Sequence, residues 1–135
     1  MHQVYLSLGS NLGDRKENLA QAIRLIGERV GEVLRTSSFV ETEPWGFQSE
    51  NRFVNAAILC ETNLTPRQVL HATQKIEREL GRKHKSVGGH YADRLIDIDI
   101  LLYDDLRVDE PDLQIPHPLM LERDFVMIPL GEIRD

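Results

Sequence analysis

Two aspartates inside an otherwise aliphatic segment constrain this sequence more than any other feature. Residues 94–103 read Arg-Leu-Ile-Asp-Ile-Asp-Ile-Leu-Leu-Tyr, and this β-branched run is typical of a strand in the middle of a sheet. Because side chains alternate along a strand, Asp97 and Asp99 are predicted to project from one face, with Cα atoms roughly 6–7 Å apart. The other face is apolar and is expected to pack on the core; it carries Ile96, Ile98, Ile100 and Leu102.

The aspartate pair has two explanations. In the simpler one, both carboxylates face solvent or pair with lysine. In the other, cations lie on the same face, because burying an unpaired carboxylate costs so much free energy that the group takes up a proton instead. Mg²⁺ fits that role, since it binds oxygen ligands and commonly combines one or two carboxylates with water and substrate phosphates. Arg94 could bind phosphate as well, and the pair by itself does not decide between the two explanations.

The composition is that of one soluble domain spanning residues 1–135. The chain has 41% hydrophobic and 28% charged residues and a net charge of −6. It has no basic run, so general nucleic-acid binding is disfavoured. No apolar segment approaches the length of a transmembrane helix, and the N-terminus does not resemble a signal peptide. The single cysteine, Cys60, lies in an apolar run, so we expect a buried thiol and a cytoplasmic protein.

The first part of the chain is predicted to form a strand, a helix and a second strand. Residues 3–8 alternate as a strand does. In the glycine-rich loop that follows, a tight turn is favoured over a phosphate-binding loop, because no dinucleotide or P-loop motif is present. Asp14 is a good N-cap with Glu17 three residues later, and the helix is expected to end at Gly31. Residues 33–40 alternate again and predict the second strand.

The middle of the chain is predicted to form a third strand and a second helix. Residues 53–61 are mainly apolar apart from Asn55 near their start. A buried asparagine must find hydrogen-bond partners, either in loop backbone or on the edge of a ligand. Thr65 is predicted to cap the second helix, with Pro66 at N1 and Gln68 completing a capping box.

The end of this helix and the loop after it carry candidates for ligand contacts. Gln74 and Glu77 lie beside the apolar stripe of the helix, where a solvated flank is the simplest explanation. Residues 82–93 are basic and glycine-bearing, and a loop of that length without structure of its own is more often functional than not. The loop leads directly into Arg94, so it is suited to close as a lid over phosphates.

Two other segments hold aromatic or basic residues in unusual settings. Trp45 and Phe47 lie in an irregular connection, where they either pack against the core or contact a flat ligand. His117 stands between two prolines, which restrict the backbone on both sides. A lone histidine is usually structural or exposed, but Arg123 follows a turn or so later and makes a site more plausible.

The predicted elements occur in the order strand, helix, strand, strand, helix, strand. Residues 108–114 are expected to be a polar connection, and residues 119–124 at most one helical turn. This order is typical of the ferredoxin-like βαββαβ fold, an α+β fold whose antiparallel sheet carries both main helices on one face. The other face is left for substrate loops and ligands, and the carboxylates of the fourth strand are expected to point there.

Six short segments together resemble one protein family. They occur in the same order and with compatible spacing over nearly the whole chain, and they are residues 9–13, 42–46, 52–57, 94–100, 115–118 and 122–125. The family is 6-hydroxymethyl-7,8-dihydropterin pyrophosphokinase of folate biosynthesis. The resemblance implies a diphosphotransferase that moves the β,γ-pyrophosphoryl group of ATP to the hydroxymethyl oxygen of the pterin and releases AMP.

The resemblance also implies how the nucleotide and its metal ions are held. Asp97 and Asp99 would bind two Mg²⁺ ions that bridge the phosphates, while Arg82 and Arg94 would neutralise phosphate charge during the reaction. The residues implied at the ATP site are Gln74, Glu77, His84, Arg94, Ile100, His117 and Arg123. Which residue, if any, takes the hydroxyl proton stays open.

The pterin site is implied in the same way. The residues implied there are Thr42, Glu43, Trp45, Phe53, Asn55, Tyr91 and Phe125. Phe53 and Phe125 would stack on the two sides of the ring, Asn55 would bind ring nitrogens, and Thr42 and Glu43 would act mainly through main-chain groups. ATP and the pterin would be the only partners, without nucleic acid or membrane, and a monomer is expected.

The sequence departs from the family pattern at three positions. His84 stands where a second lid arginine is common, Tyr91 stands where a tryptophan is common, and Asp112 stands where another arginine contacts ATP. These differences concern nucleotide affinity and lid ordering rather than the class of reaction. The chain stops soon after Ile133, where many members continue, so we expect a short member or a shortened form. A ligand-binding domain without turnover on the same fold is the main rival interpretation.

Overall fold

The computed structural model describes residues 1–42, 52–81 and 95–134, and the architecture below is that of these three ranges. The strands are β1 His2–Ser10, β2 Gly31–Thr36, β3 Val40–Thr42, β4 Phe53–Thr62, β5 Asp97–Tyr103, β6 Val108–Glu110 and β7 Leu113–Ile115. The α-helices are α1 Arg15–Arg29, α2 Pro66–Leu80 and α3 Asp124–Ile133, with a 3₁₀ turn at Met120–Glu122. None of the helices in these ranges is long and apolar enough to cross a membrane.

The main sheet has the strand order β2-β4-β1-β5, and each neighbouring pair is antiparallel. The short β3 pairs with the start of β4, and β6 and β7 form a separate hairpin. Helix α1 follows β1, and α2 follows β4. This connectivity is that of the ferredoxin-like fold, so the predicted fold class is confirmed.

The two main helices cover one face of the sheet and build the larger core. Leu19 and Ile26 of α1 and Ile76 of α2 are fully buried against strand residues such as Leu6 and Ile58. Burying aliphatic side chains of this size is the dominant favourable term in folding. Cys60 belongs to the same core, and burial raises the pKa of its thiol to about 11, so the predicted structural thiol is confirmed.

The helix starts are those that the sequence predicts. The Asp14 carboxylate accepts a hydrogen bond from the Glu17 N–H at 3.2 Å. At α2, the Thr65 hydroxyl accepts from the Gln68 N–H at 3.2 Å while the Thr65 N–H donates to the Gln68 side chain at 2.9 Å. These contacts satisfy backbone donors that have no partner within the helix.

Gly31 does not end α1, contrary to the prediction. The helix ends at Arg29, and Gly31 is the first residue of β2. A Cβ at Gly31 would lie 2.0 Å from the Glu61 carbonyl oxygen, so glycine is required there by the close approach of two strands. Gly31 is therefore needed for strand packing and does not mark the end of the helix.

The predicted second strand is divided into β2 and β3. Between them the Ser37 N–H donates to the Ala57 carbonyl at 2.9 Å, and the Ser37 hydroxyl accepts from the Ala57 N–H at 2.8 Å. A side-chain oxygen therefore takes the place of a backbone acceptor in the ladder. Both β2 and β3 pair with β4, so the division does not change the order of the sheet.

The second face of the sheet is partly covered by α3, which the sequence did not predict. Val126 and Leu130 of this helix, together with Met120, pack on Leu59 of β4 and Leu101 of β5. Helix α3 is apolar on most sides and contains Pro129, so it shows neither an amphipathic stripe nor an uninterrupted helical sequence. Residues 108–115 likewise form the β6–β7 hairpin instead of a structureless connection.

A bulge in β5 changes which residues face the helices. Leu6 is opposite Ile100 while Tyr5 is opposite Leu102, so Leu101 is an extra residue in the ladder. Leu101 and Leu102 both pack in the cluster beneath α3. The prediction that Leu102 shares a face with Ile100 is therefore wrong, because an inserted residue shifts the alternation of everything after it.

Candidate active site

The polar end of the second sheet face is organised by two rows of side chains across β4, β1 and β5. In the first row, Gly9 is opposite Asn55 on one side and Asp97 on the other. Residues directly opposite each other in a sheet share a face and have Cβ atoms about 5 Å apart. The first row therefore places an amide, a gap without a side chain and a carboxylate next to one another.

The second row lies one step closer to α3. Ser7 is opposite Ala57 on β4 and Asp99 on β5. Asp97 and Asp99 thus project from the same face, as predicted, and both are partly exposed. Beyond this row the face becomes apolar and is covered by α3, so the carboxylate pair lies at the border between a ligand-accessible surface and a core.

Gly9 leaves room that a side chain would fill. A Cβ at this position would lie 2.7 Å from the Asn55 Oδ1 and 3.4 Å from the Phe53 ring. Asn55 is only 3% exposed, while Phe53 is half-buried, and Thr42 is opposite Phe53 in the β3–β4 ladder. The gap at Gly9 therefore has an aromatic ring and a buried amide along its border.

Glu77 approaches the aspartates from α2. Its Oε2 accepts a hydrogen bond from the Ile98 N–H at 2.8 Å, and β5 is an edge strand, so this contact satisfies a donor that no neighbouring strand pairs. Burial, and next the negative charge of Asp97, raises the pKa of Glu77 to about 8, with a further contribution from Asp99. The solvated flank considered for Glu77 is excluded.

Asp97, Asp99 and Glu77 bring three carboxyl groups close together, and a bound cation would stabilise their ionised forms. Within residues 1–42, 52–81 and 95–134, no group of three or more His, Cys, Asp or Glu side chains is arranged to hold a metal ion. A metal bound by Asp97 and Asp99 would therefore need oxygen ligands from water or from a bound phosphate. That ligand set is the one Mg²⁺ usually has in phosphoryl-transfer enzymes.

His117 is held in a defined orientation beside β5. Its backbone N–H donates to the Leu101 carbonyl at 3.0 Å, and its Nδ1 accepts from the Leu119 N–H at 3.3 Å. Burial, and next the positive charge of Arg123, lowers the pKa of His117. The imidazole is therefore neutral at pH 7 and carries its proton on Nε2, which makes Nε2 a hydrogen-bond donor.

Arg123 and Phe125 lie together at the start of α3. Arg123 is 7% exposed, and its guanidinium carbon lies 5.5 Å from the centre of the Phe125 ring, within the range of a cation–π contact. Phe125 is half-buried against the cluster beneath α3. The two residues place a cation within electrostatic reach of His117 and an aromatic ring against the cluster beneath α3.

A cavity of about 250 Å³ lies along the outer edge of β5. Leu70 of α2 forms one wall, Ile98, Asp99 and Ile100 of β5 form the floor, and residues 111–114 of the hairpin with His117 form the far wall. The lining thus combines apolar side chains with the polar groups of Asp99, Asp112, Gln114 and His117. Through Asp99 the cavity reaches one member of the aspartate pair.

The structure describes some of the predicted site residues, and the others lie outside the described ranges. The described part of the chain holds Phe53, Asn55, Asp97, Asp99 and Phe125 on or beside the polar face, and Glu77, Ile100, His117 and Arg123 around the edge of β5. Gln74 is half-buried in α2, and Thr42 is described only by its backbone pairing. Glu43, Trp45, Arg82, His84, Tyr91 and Arg94 lie outside the described residues.

Three features of the site were not assigned from the sequence. Gly9 was noted only in a predicted turn and in a family-like segment, and Leu70 stands next to the apolar stripe of α2. Residues 111–114 were expected to be a polar connection in which only Asp112 was singled out. Each becomes part of the site through contacts with residues far away in the sequence. A hairpin signal at Pro111-Asp112 was the one local indication that could have been used.

The chain is similar to known proteins over nearly its full length. A model of the 7,8-dihydro-6-hydroxymethylpterin-pyrophosphokinase (HPPK) family matches residues 5–135. The 2-amino-4-hydroxy-6-hydroxymethyldihydropteridine pyrophosphokinase of Porphyromonas gingivalis is 54% identical over 131 residues, which cover 96% of this chain and 89% of the relative. A protein of the same name from Bacillus subtilis is 41% identical, with 96% and 77% covered.

A solved structure gives the same fold. The crystal structure of Plasmodium falciparum HPPK-DHPS wild type with SDX-DHP matches with a TM-score of 0.74 at 15% identity. The match covers 98% of this chain and 40% of that one, so this chain spans less than half the length of the matched structure. At this level of identity the likeness shows the fold alone.

Proposed function

Because the chain belongs to the 7,8-dihydro-6-hydroxymethylpterin-pyrophosphokinase family, we propose that the polar face binds the pterin and the edge of β5 binds ATP. The enzyme transfers the pyrophosphoryl group of ATP to hydroxymethyldihydropterin in folate synthesis. One observation carries the residue assignment: the same-face pair Asp97 and Asp99 lies between the gap at Gly9 and the cavity along β5. Phosphates held at this pair would lie between the two ligands.

The pterin is proposed to lie over Gly9. A flat ring fits where a Cβ is missing, with the Phe53 ring on one side and Phe125 on the other. The Asn55 amide offers both a donor and an acceptor to the ring edge. Thr42, Glu43, Trp45 and Tyr91 are proposed to complete the site, the first two through main-chain groups.

The adenine base is proposed to occupy the cavity. Leu70, Ile98 and Ile100 give it an apolar base. The Ile98 N–H points away from β1 toward Glu77, and alternate residues of an antiparallel edge strand point their backbone groups the same way. The Ile100 N–H is therefore directed into the cavity, where it can donate to a ring nitrogen.

The phosphates are proposed to lie between the cavity and the polar face. The His117 Nε2–H and the Arg123 guanidinium can donate to phosphate oxygens, and Gln74, Glu77 and His84 are proposed to border the nucleotide. Two Mg²⁺ ions on Asp97 and Asp99 would supply charge neutralisation when bound. Arg82 and Arg94 are proposed to neutralise the charge that moves to the transferred group, because phosphoryl transfer depends on positioning and electrostatics.

The transfer is a single displacement at the β-phosphorus of ATP. The hydroxymethyl oxygen of the pterin forms a bond to the β-phosphorus of ATP, the bond from that phosphorus to the α,β-bridging oxygen breaks, and AMP leaves. The hydroxyl proton is lost to solvent or to a neighbouring carboxylate. The residues of the site bind and orient the two substrates in line for this exchange.

Product analysis tests the proposal. The protein is mixed with ATP, Mg²⁺ and 6-hydroxymethyl-7,8-dihydropterin, and nucleotides are separated by chromatography. AMP that appears only when the pterin is present is the expected result. ADP instead of AMP would contradict pyrophosphoryl transfer, and no nucleotide product from folded protein with unoxidised substrate would favour a ligand-binding domain without turnover.

We further propose that the protein acts as a cytoplasmic monomer. Cys60 is a free, buried cysteine, and a lone thiol outside any disulfide fits a reducing compartment. Light scattering coupled to gel filtration tests the oligomeric state; a mass near 15.5 kDa is expected, and a mass twice that would contradict the proposal.

A further inference from the structure

Arg67 in the first turn of α2 makes a double ion pair with the β6–β7 hairpin. Its Nη1 and Nη2 each donate to one oxygen of Asp112 at 2.9 Å, and Nη2 also donates to Glu110. Two parallel bonds between a guanidinium and a carboxylate are among the most directional polar contacts in proteins. We define these three residues as the hairpin clamp.

The clamp joins the two walls of the cavity proposed for adenine. Leu70 stands one helical turn after Arg67 and lines the wall formed by α2, while Asp112 belongs to the hairpin segment that forms the opposite wall. The distance between the walls is therefore coupled to the geometry of an ion pair. No residue of the clamp belongs to the polar face where Asp97 and Asp99 lie.

The hairpin has few other means of holding its tip in place. Strands β6 and β7 have three residues each and pair only with each other among the described residues. Leu113 and Ile115 are buried in the larger core, which fixes the inner side of the hairpin, while Pro111 is exposed. A two-stranded hairpin is only marginally stable by itself, so the tip depends on additional contacts.

Electrostatics gives a second reason why the hairpin clamp matters for nucleotide binding. Glu110 and Asp112 are exposed, and Asp112 lines a cavity that would take an anionic nucleotide. Pairing with Arg67 lowers the pKa of the Asp112 carboxyl, so the acid stays ionised and its charge is compensated by the guanidinium. Without Arg67, Glu110 and Asp112 would lose the guanidinium that pairs with both carboxylates beside the site proposed for an anionic ligand.

We propose that Arg67 is a positioning residue for nucleotide binding: by pairing with Glu110 and Asp112 it holds the hairpin against α2 and sets the width of the cavity. This inference rests on the proposed function, because it takes the cavity to be the ATP site. It assigns a role in ATP affinity to a residue that contacts neither substrate nor metal.

Steady-state kinetics of three variants test the role. Arg67→Ala is expected to raise the KM for ATP about three- to fivefold, as loss of an exposed ion-pair network would, with kcat and the KM for the pterin unchanged. Arg67→Lys is expected to recover part of the loss, because lysine keeps the charge but not the bidentate geometry. Glu110→Gln, which removes one partner of the clamp without changing a residue that lines the cavity, is expected to raise the KM for ATP by a smaller factor.

Arg24→Ala is the matched control. Arg24 is an exposed arginine of α1 paired with Glu28 at 3.0 Å, so this variant loses the same charge without touching the cavity. Equal kinetics for Arg67→Ala and Arg24→Ala would overturn the proposal. Equal increases in both KM values, together with a lowered melting temperature, would show a merely structural role and would overturn it too.

Calorimetric titration of ATP with Mg²⁺ into each protein separates this inference from the proposed function. If the wild type binds ATP but forms no AMP, the proposed function fails, and a weaker Kd for Arg67→Ala alone would still support the clamp. If the wild type does not bind ATP, both proposals are contradicted.

Discussion

The two faces of the sheet use the same three strands in opposite ways. The face beneath α1 and α2 is continuously aliphatic, from Leu6 and Leu8 on β1 to Ile98 and Ile100 on β5. The other face is apolar only where α3 covers it, and becomes polar toward the end that carries Gly9. The face beneath α1 and α2 thus belongs to the core along its whole length. The face partly covered by α3 changes from core to candidate site within two residues.

The difference shows that position along the strand matters as much as the face. Asp99 and Leu101 are two residues apart in β5, yet Leu101 is fully buried beneath α3 while Asp99 lines the cavity. The bulge at Leu101 brings this residue and Leu102 under α3 together. We therefore expect substitutions to separate into effects on stability and effects on activity according to which region they touch.

The largest expected effect is that of Asp97→Asn on activity. Removing one carboxylate of the pair should reduce turnover roughly 10²- to 10³-fold, the scale for loss of a major electrostatic group. The melting temperature should change little, because Asp97 is partly exposed and asparagine keeps the size of the side chain. Asp109→Asn, an exposed carboxylate of β6, is the control; near-normal turnover of Asp97→Asn would show that this carboxylate binds no essential metal.

Leu6→Ala tests the face covered by α1 and α2. Leu6 is fully buried between β4 and β5, and such a truncation should lower the free energy of unfolding by about 2–5 kcal/mol, measured by urea denaturation. The folded fraction should keep normal KM values. Leu121→Ala is the control, since Leu121 is 77% exposed and its loss should change stability by less than about 0.5 kcal/mol. Equal effects of the two variants would contradict the assigned core.

Gly9→Ala tests the gap in the polar face. The added Cβ would lie 2.7 Å from the Asn55 Oδ1, so Asn55 must move, and the KM for the pterin should rise roughly tenfold, the scale for forcing one methyl group into a packed site. The KM for ATP should stay constant. Gly131→Ala is the control for Gly9→Ala, because a Cβ at Gly131 meets no atom within 4 Å. If both KM values rose equally at Gly9, the gap would not be specific to the pterin.

The smallest expected effect concerns a carboxylate outside the site. Asp104 accepts a hydrogen bond from the Gln3 N–H and pairs with His2, each at 2.7 Å, and the first of these contacts is the main cause of its lowered pKa. A lowered pKa in the folded state stabilises the protein above the unfolded pKa, and the contribution is lost as the pH falls.

Asp104→Asn should therefore lower the free energy of unfolding at pH 7 by less than about 1 kcal/mol, since the side chain is largely exposed. Asparagine tolerates the positive φ of 48° at this position. The difference from the wild type should vanish once acid has protonated Asp104 in the folded state, at a pH below its unfolded pKa. A difference that persisted in strong acid would contradict this assignment.

The sequence predicted the elements whose signals are local. Capping at Asp14 and Thr65, the strand around Asn55 and the same-face arrangement of Asp97 and Asp99 all follow from residues within a few positions of one another. Hydrogen bonds of helix caps and the alternation of strands act over that same short range. The order of these elements was then enough to predict the fold class.

The sequence did not predict what depends on contacts between distant segments. The sequence of α3 shows no amphipathic stripe, because apolar residues also stand outside its buried face, as Ile128 does at 52% exposure. The bulge at Leu101 leaves no local signal. Glu77 reaches the Ile98 N–H only because α2 packs beside an edge strand. The gap at Gly9 has meaning only once Asn55 and Phe53 lie next to it.

By itself the sequence determined the chemistry available to this protein: a carboxylate pair on one strand face, aromatic residues, an amide and a resemblance to one family of pyrophosphokinases. Only the tertiary structure decided where that chemistry is accessible. Within the described residues, α3 covers part of the second face and the clamped hairpin borders the edge of β5, which leaves the region around Gly9, Asp97 and Asp99 uncovered by these two elements. Packing between segments distant in sequence sets this boundary, and no local pattern encodes it.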